Sequence, residues 1–334
     1  MAGRYAAGVT FRLDLRGPVA ELTIDRPAKR NAISFGMWSS LPGLMDRVRA
    51  DDGVRVLVVR GGEHFSAGAD IGEFRELRAG AAGVARYSEA VAAGERALAG
   101  VGKPTIAAVD GFCVGGGCQL AVACDLRIAA SDARFGITPA KLGIVYGFAS
   151  TKRLVDLVGP AWTKQILYGA ELLDAATALR IGLVNEVHDD VRVRAKELAE
   201  VIASRSWVSV RGARTIVDLI AEGGREDDGV RALYEEAAHS ADYAEGVAAF
   251  LEKRPPRFPE AAAGYQVDMT QSETTQSETA QSETTQPGAH PINPDPPYAP
   301  GTPEPPDLDV DPEQFLEDDE KERRRRAGDV DEPA

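Results

Sequence analysis

Up to about residue 262, apolar residues fall into short runs separated by polar and glycine-rich stretches. The runs Ala20–Ile24, Val54–Val59, Thr105–Val109 and Leu126–Ala129 read as strands, and a final strand signal lies at Leu183–Glu186. Helical patterns follow several of them, at Gly117–Ala123, Ala161–Tyr168, Val193–Ser204 and Arg211–Ala221. Strands alternating with helices predict an α/β architecture. Two more helical stretches, Gly229–His239 and Ala241–Lys253, come after the last strand signal. The order therefore predicts a core over residues 1–200 and a helical C-terminal subdomain over 201–262.

Beyond Arg254-Pro255-Pro256 the pattern stops. Gln271–Thr285 holds three copies of the unit Gln-Ser-Glu-Thr-Thr/Ala, and Pro287–Pro312 is rich in proline. With few large apolar residues, burial cannot offset the entropy of ordering such a segment, so 263–334 is expected to be a disordered acidic tail. Glu313–Arg326 leads with acidic residues and trails with arginines, which suits a helix dipole. A solvated charged tail and a transient helix that docks a protein partner are its two readings.

The tail also changes the meaning of the net charge of −14. From Gly264 onward it carries 18 acidic and 5 basic residues, leaving 34 and 33 before it. The folded part is nearly neutral, so the acidity says little about substrate and argues against nucleic-acid binding by the tail.

A hydrophobic content of 44% is enough for a substantial core, and no run of 18 or more apolar residues suggests a membrane span. Met1–Arg16 lacks the charged start, apolar run and small-residue cleavage site of a signal peptide. The expectation is a soluble, cytoplasmic protein that uses neither a membrane nor a nucleic acid as partner. Cys113, Cys118 and Cys124 have no metal-binding spacing and read as buried free thiols in a reducing compartment, with no metal site expected.

Two glycine-rich segments carry the candidate chemistry. Phe65-Ser66-Ala67-Gly68-Ala69-Asp70-Ile71 follows one strand, and Gly111-Phe112-Cys113-Val114-Gly115-Gly116-Gly117-Cys118-Gln119 lies between another strand and a helix. Reaction at the α- or β-carbon of a thioester places negative charge on the thioester oxygen, and two fixed N–H donors shielded from water stabilise it. Glycines let backbone approach a ligand, and a helix starting at the triplet aims its first N–H groups at an anion.

With Arg26-Pro27-Ala28-Lys29-Arg30-Asn31-Ala32 and Ala249-Phe250-Leu251-Glu252-Lys253-Arg254 added, residues 10–260 resemble the crotonase (enoyl-CoA hydratase/isomerase) superfamily. The resemblance implies a spiral of ββα repeats with a helical trimerisation region, assembled as a homotrimer or a dimer of trimers. It implies an acyl-CoA substrate, with coenzyme A entering as part of that substrate and no permanently bound cofactor. By resemblance the N–H groups of Ala69 and Gly116 form an oxyanion hole. Lys29, Arg30 and Ala32, with Ala67, Asp70 and Ile71, line the CoA moiety. Phe250 and Lys253 match residues that reach CoA from the C-terminal region, often of a neighbouring subunit.

Hydration in this family relies on two glutamates, whose positions hold Gln119 and Pro139 here. An amide orients water but does not exchange a proton near neutral pH, and proline offers no group at all. The loop Thr138–Tyr146 is similar to that of methylmalonyl-CoA decarboxylases of the superfamily, which carry a tyrosine at the place of Tyr146. Decarboxylation of a malonyl-type thioester starts without a base, and a phenol there would hold the carboxylate or protonate the enolate. Ala69 and Gln119 depart from those decarboxylases, which have histidine and glutamate, and a core or pocket tyrosine is the plain alternative for Tyr146.

Among the remaining polar residues, Asp70 reads as a cap for the turn or helix near Ile71–Leu77, and His64 as a loop histidine. Glu89 and Glu95 are candidates for a relocated carboxylate, although solvent-facing glutamates are the default for a helix. The leading expectation is a lyase or isomerase working through an enolate. Decarboxylation of a malonyl-type CoA is the second. A non-catalytic acyl-CoA-binding protein with a partner-recruiting tail is the third.

Overall fold

The computed structural model describes residues 10–258. The expected tail, 263–334, lies outside them. Among the described residues nine strands occur: β1 Phe11–Asp14, β2 Val19–Ile24, β3 Val56–Arg60, β4 Thr105–Val109, β5 Phe112–Val114, β6 Leu126–Ala130, β7 Arg134–Gly136, β8 Leu173–Asp174 and β9 Glu186–His188. The helices are α1 Phe35–Ala50, α2 Phe74–Leu77, α3 Gly80–Ala99, α4 Gly116–Ala123, α5 Phe148–Gly169, α6 Ala175–Arg180, α7 Val191–Ala203, α8 Trp207–Ala221, α9 Asp228–His239 and α10 Ala241–Leu251.

The large sheet has the order β1-β2-β3-β4-β6-β9, with β1 antiparallel to β2 and the other pairs parallel. Strand β4 is buried throughout and β3 up to its last residue, Arg60, as expected of parallel strands covered on both faces. A second layer is built from β5, β7 and β8, and the bridges Ile33–Ala69 and Ser66–Cys113 extend it. Each turn of the chain thus passes from a long strand to a short strand or bridge and then to a helix. This is a spiral of ββα repeats, the α/β crotonase-like fold that the resemblance implies.

Helix α1 starts at Ser34, whose hydroxyl accepts from the Met37 N–H at 3.2 Å, and it buries Met37, Trp38, Leu41, Met45 and Val48. Helix α3 packs on that face closely enough that a β-carbon on Gly94 would lie 3.0 Å from both Trp38 and Leu41. Helices α8 to α10 follow the last strand, as the order of elements predicts. Among the described residues, no helix is long and apolar enough to cross a membrane.

Several boundaries differ from expectation: α5 begins at Phe148 rather than Ala161 and α8 at Trp207 rather than Arg211, and two further cases lie at a strand and at the end of α10. The last strand is Glu186–His188 rather than Leu183–Glu186, because Leu183 and Val184 close the turn after α6 by donating to the Ala178 carbonyl. Both are buried, which explains their strand-like apolarity. Helix α10 ends at Leu251, and Lys253 adopts a left-handed φ of 55°.

Candidate active site

The two glycine-rich segments lie against each other. Phe65 and Ser66 donate their N–H groups to the carbonyls of Asp110 (2.7 Å) and Phe112 (2.8 Å), and Val114 donates back to Ser66 at 2.9 Å. Only glycine fits at 117, where a β-carbon would lie 2.8 Å from Ser66 Cβ and from its carbonyl oxygen. Gly115 turns the chain into α4 at φ 50°, ψ −111°.

This arrangement leaves two backbone donors without acceptors. Ile33 bridges to the segment by donating to Gly68 O (2.7 Å) and accepting from Asp70 N–H (2.9 Å), which leaves the Ala69 N–H on the opposite side. Gly116 opens α4, so its N–H has no intrahelical acceptor. Neither group finds a hydrogen-bond partner among the described residues. The two are close, since a β-carbon on Gly116 would lie 3.5 Å from Ala69 N and 3.3 Å from the Trp38 ring.

Both residues line a cavity of about 450 Å³. Its walls come from the 67–71 segment, the face of α3 carrying Tyr87, Val91 and Glu95, the start of α4, and the loop from Thr138 into α5. A larger groove of about 780 Å³ lies between the β1–β4 face and α7, but its Arg16 and Arg60 are paired with Asp14 and Glu21, and the unpartnered donors are not part of it. The smaller cavity is the one with chemistry.

Glu95 does not face solvent. It is 2% exposed, on the stripe of α3 that points into the cavity, and it is the sole carboxylate among the cavity's described lining residues. Ser150 Oγ donates to its carboxylate, 2.8 and 2.9 Å from the two oxygens, and Gln119 Nε2 donates to Ser150 Oγ at 3.1 Å. Arg153 Nη1 lies 3.6 Å from Glu95 Oε1. Burial pushes the carboxyl above its ordinary value, while Ser150 and Arg153 pull it down without cancelling the shift. Glu89, by contrast, is exposed and paired with Arg96, as expected of a surface glutamate.

Gln119 lies one turn along α4 from Gly116 and also lines the cavity. Pro139 begins a short 3-10 helix, Pro139–Leu142, in the opposite wall. Tyr146 belongs to the same wall, yet its hydroxyl is buried with no hydrogen-bond partner. Burial raises its pKa, helped by the nearby Cys118 and Glu95. The three cysteines are buried free thiols, and burial pushes Cys124 up to about 12.

Asp70 corrects an expectation. It precedes a 3-10 turn at Ile71–Glu73, but its side chain makes no capping bond. It instead accepts from Lys29 Nζ at 2.8 Å and Arg26 Nη2 at 2.9 Å. Burial alone would raise its pKa, but these two cations hold it below the usual carboxylate value. The pairing ties the Lys29–Ala32 turn to the 67–71 segment, and Ala67 N–H donates to Arg30 O at 2.9 Å as a second tie. Asn31 adds a third, with Nδ2 donating to His64 O at 2.6 Å. His64 is a loop residue whose Nδ1 accepts weakly from Phe112 N–H at 3.5 Å.

Of the residues singled out in the sequence, Ala67, Ala69, Ile71, Gly116, Gln119 and Tyr146 come together in the cavity wall. Lys29, Arg30, Ala32 and Asp70 stand beside it through the ties above. Phe250 and Lys253, at the end of α10, are not among its walls in the single chain. Sequence reasoning passed over Ser150 and set Glu95 aside. Glu95 did leave a signal, as a carboxylate within the series Tyr87, Val91, Glu95 and Leu98, where the helical period calls for apolar residues.

Solved structures share this fold. An enoyl-CoA hydratase/carnithine racemase from Magnetospirillum magneticum superposes with a TM-score of 0.72 at 30% identity, covering 75% of this chain and 96% of that one. An enoyl-CoA hydratase from Bacillus anthracis gives 0.68 at 30% identity, over 75% and 98%. The fold is that of a crotonase-type enzyme. Residues 15–261 match the enoyl-CoA hydratase/isomerase family, and the chain belongs to that family. Among its relatives, the crotonyl-CoA hydratase of Syntrophomonas wolfei is 38% identical over 74% of this chain and 96% of its own length. The short-chain-enoyl-CoA hydratase of Clostridium acetobutylicum is 35% identical over 72% and 94%.

Proposed function

We propose that this enzyme stabilises the enolate of an acyl-CoA thioester between the backbone N–H groups of Ala69 and Gly116, and that it is a lyase or isomerase other than a two-glutamate hydratase. The observation that carries this reading is the pair of adjacent, unpartnered donors in one cavity wall. Donors fixed in place before reaction stabilise developing charge without reorganising. Gln119 and Pro139 at the two glutamate positions support the exclusion of the paired-carboxylate route. Lys29 and Arg30, exposed beside the 67–71 segment, suit the phosphates of CoA. Phe250 and Lys253 serve the site of a neighbouring copy in a trimer or dimer of trimers. Exposed apolar residues on the C-terminal helices, Tyr243, Val247 and Leu251 among them, support such self-association in the cytoplasm.

A second reading, decarboxylation of a malonyl-type CoA, is favoured by Arg78. Its guanidinium lines the cavity, held 4.8 Å over the Phe74 ring and 5.6 Å over Tyr87, with no carboxylate partner among the described residues. Purified full-length protein assayed with crotonyl-CoA, a 3-enoyl-CoA and methylmalonyl-CoA separates the readings. Double-bond movement supports the first, and CO₂ release the second. Binding without turnover of any ester would leave an acyl-CoA-binding protein and overturn both.

A further inference from the structure

We propose that Glu95 is the acid–base catalyst of this site, a single carboxylate on α3 that does proton transfer for an enzyme lacking carboxylates at 119 and 139. The inference rests on the enolate reading above and deepens it. Hydration by paired carboxylates divides the work: one group activates water while the other protonates carbon. One carboxylate can act as base and then as acid on the same substrate, which is a proton shift. The ligand class that follows is a 3-enoyl-CoA thioester.

The step balances without a co-reactant. Ionised Glu95 takes a proton from the α-carbon, and the C–H electron pair moves into the thioester to give a dienolate, whose oxygen faces the Ala69 and Gly116 N–H groups. The neutral Glu95 then returns the proton to the γ-carbon. The double bond moves into conjugation with the thioester, and the carboxylate is restored.

Three features of the site suit this task. Glu95 lines the cavity shared by Ala69 and Gly116. Gln119, one helical turn from Gly116, reaches the Ser150 hydroxyl that binds Glu95, so the carboxyl group lies next to the position a hydratase glutamate would use. Burial makes the ionised carboxylate a stronger base than one in water. The charged and titratable groups around it are Arg153 from α5, Tyr146 from the preceding loop and Arg96 on its own helix.

The test uses full-length protein and 3-hexenoyl-CoA, followed by the absorbance of the conjugated product. Glu95→Gln is expected to lower kcat about 100-fold or more while the affinity for hexanoyl-CoA stays within about threefold. Glu95→Asp should fold and keep a fraction of the rate. In the wild type, log(kcat/KM) should rise with pH along a limb displaced above the ordinary carboxylate value of 4.5. Substrate deuterated at the α-carbon should deliver part of its label to the γ-carbon. If the wild type turns over this or another ester and Glu95→Gln matches it within threefold, Glu95 is not the catalyst. If Glu95→Gln fails to fold, an undiminished rate in Glu95→Asp overturns the proposal equally. Wild-type protein inert toward every acyl-CoA would instead overturn the enolate reading itself.

Discussion

Ser150 Oγ lies 2.8 and 2.9 Å from the two carboxylate oxygens of Glu95, and its own lone pair accepts from Gln119 Nε2 at 3.1 Å. A hydroxyl has one proton to give, and the Gln119 amide occupies the acceptor side, so the serine proton is directed at the glutamate. This hydrogen bond favours the ionised carboxylate. Removing it with Ser150→Ala should shift the pH limb of kcat/KM upward and lower kcat roughly tenfold at pH 7, with KM little changed. A positioning role requires the limb to move. A uniform loss of rate at all pH values, with the limb in place, would reduce Ser150 to packing. The hydrogen bond is also worth about 1–3 kcal/mol of stability, since its partner is a buried charged group.

Glu95 should also weaken the fold as pH rises. Its folded-state pKa lies above the unfolded value of 4.5, so the folded chain holds this proton more tightly than the unfolded chain does. That contribution is complete below the ordinary carboxylate range and is lost as pH climbs through the raised value. Glu95→Gln carries no titrating proton there and keeps an acceptor for Ser150. Thermal melts from pH 4 to pH 8 should show the variant gaining on the wild type as pH rises. A Tm difference independent of pH would mean that Glu95 titrates normally.

Gly117 sets the distance between the two donor loops. The β-carbon of Gly117→Ala would lie 2.8 Å from Ser66 Cβ and from the Ser66 carbonyl, and a backbone atom cannot swing aside as a long side chain can. Overpacking of this kind costs about 1–3 kcal/mol. Pushing Ser66 away also moves Ala69 relative to Gly116, so kcat should fall by more than the stability loss explains. Full activity in a folded Gly117→Ala protein would show that the spacing of these loops is not tightly set.

The α/β character was legible because apolar runs alternate with helical patterns between glycine-rich stretches, whereas the spiral of repeats was implied by the family resemblance. The parallel strands β3 and β4 are apolar except at Arg60 and Thr105, and Gly111 and Gly117 of the second donor loop stand where a β-carbon would collide with a neighbour. The role of Asp70 was not legible, because its partners Arg26 and Lys29 lie more than 40 residues away in the chain and capping is the local default. Glu95 and Ser150 are separated by 55 residues, and only the folding of α3 against α5 makes one site of them. The apolar period of α3 singles out Glu95 as a buried carboxylate, but a periodicity cannot supply its partner. Strand boundaries slipped where buried residues belong to a turn, as with Leu183 and Val184.

Tyr146 separates the two enzymatic readings. Its hydroxyl is buried without a hydrogen-bond partner, and the neighbouring thiol and carboxyl groups help burial keep it protonated. An unsatisfied buried hydroxyl is costly, so Tyr146→Phe should leave the fold as stable or stabilise it by about 1 kcal/mol. If the site shifts a double bond through Glu95, the same variant should retain the rate within a few-fold, because the carboxylate and not the phenol moves the proton. If the site decarboxylates a malonyl-type ester, losing the hydroxyl should slow CO₂ release by about 100-fold, the usual loss on removing a group that donates a proton in the transition state. Melting curves together with both assays on one preparation of Tyr146→Phe decide the matter. A variant that is less stable than the wild type by more than 1 kcal/mol would mean that the hydroxyl has a partner after all.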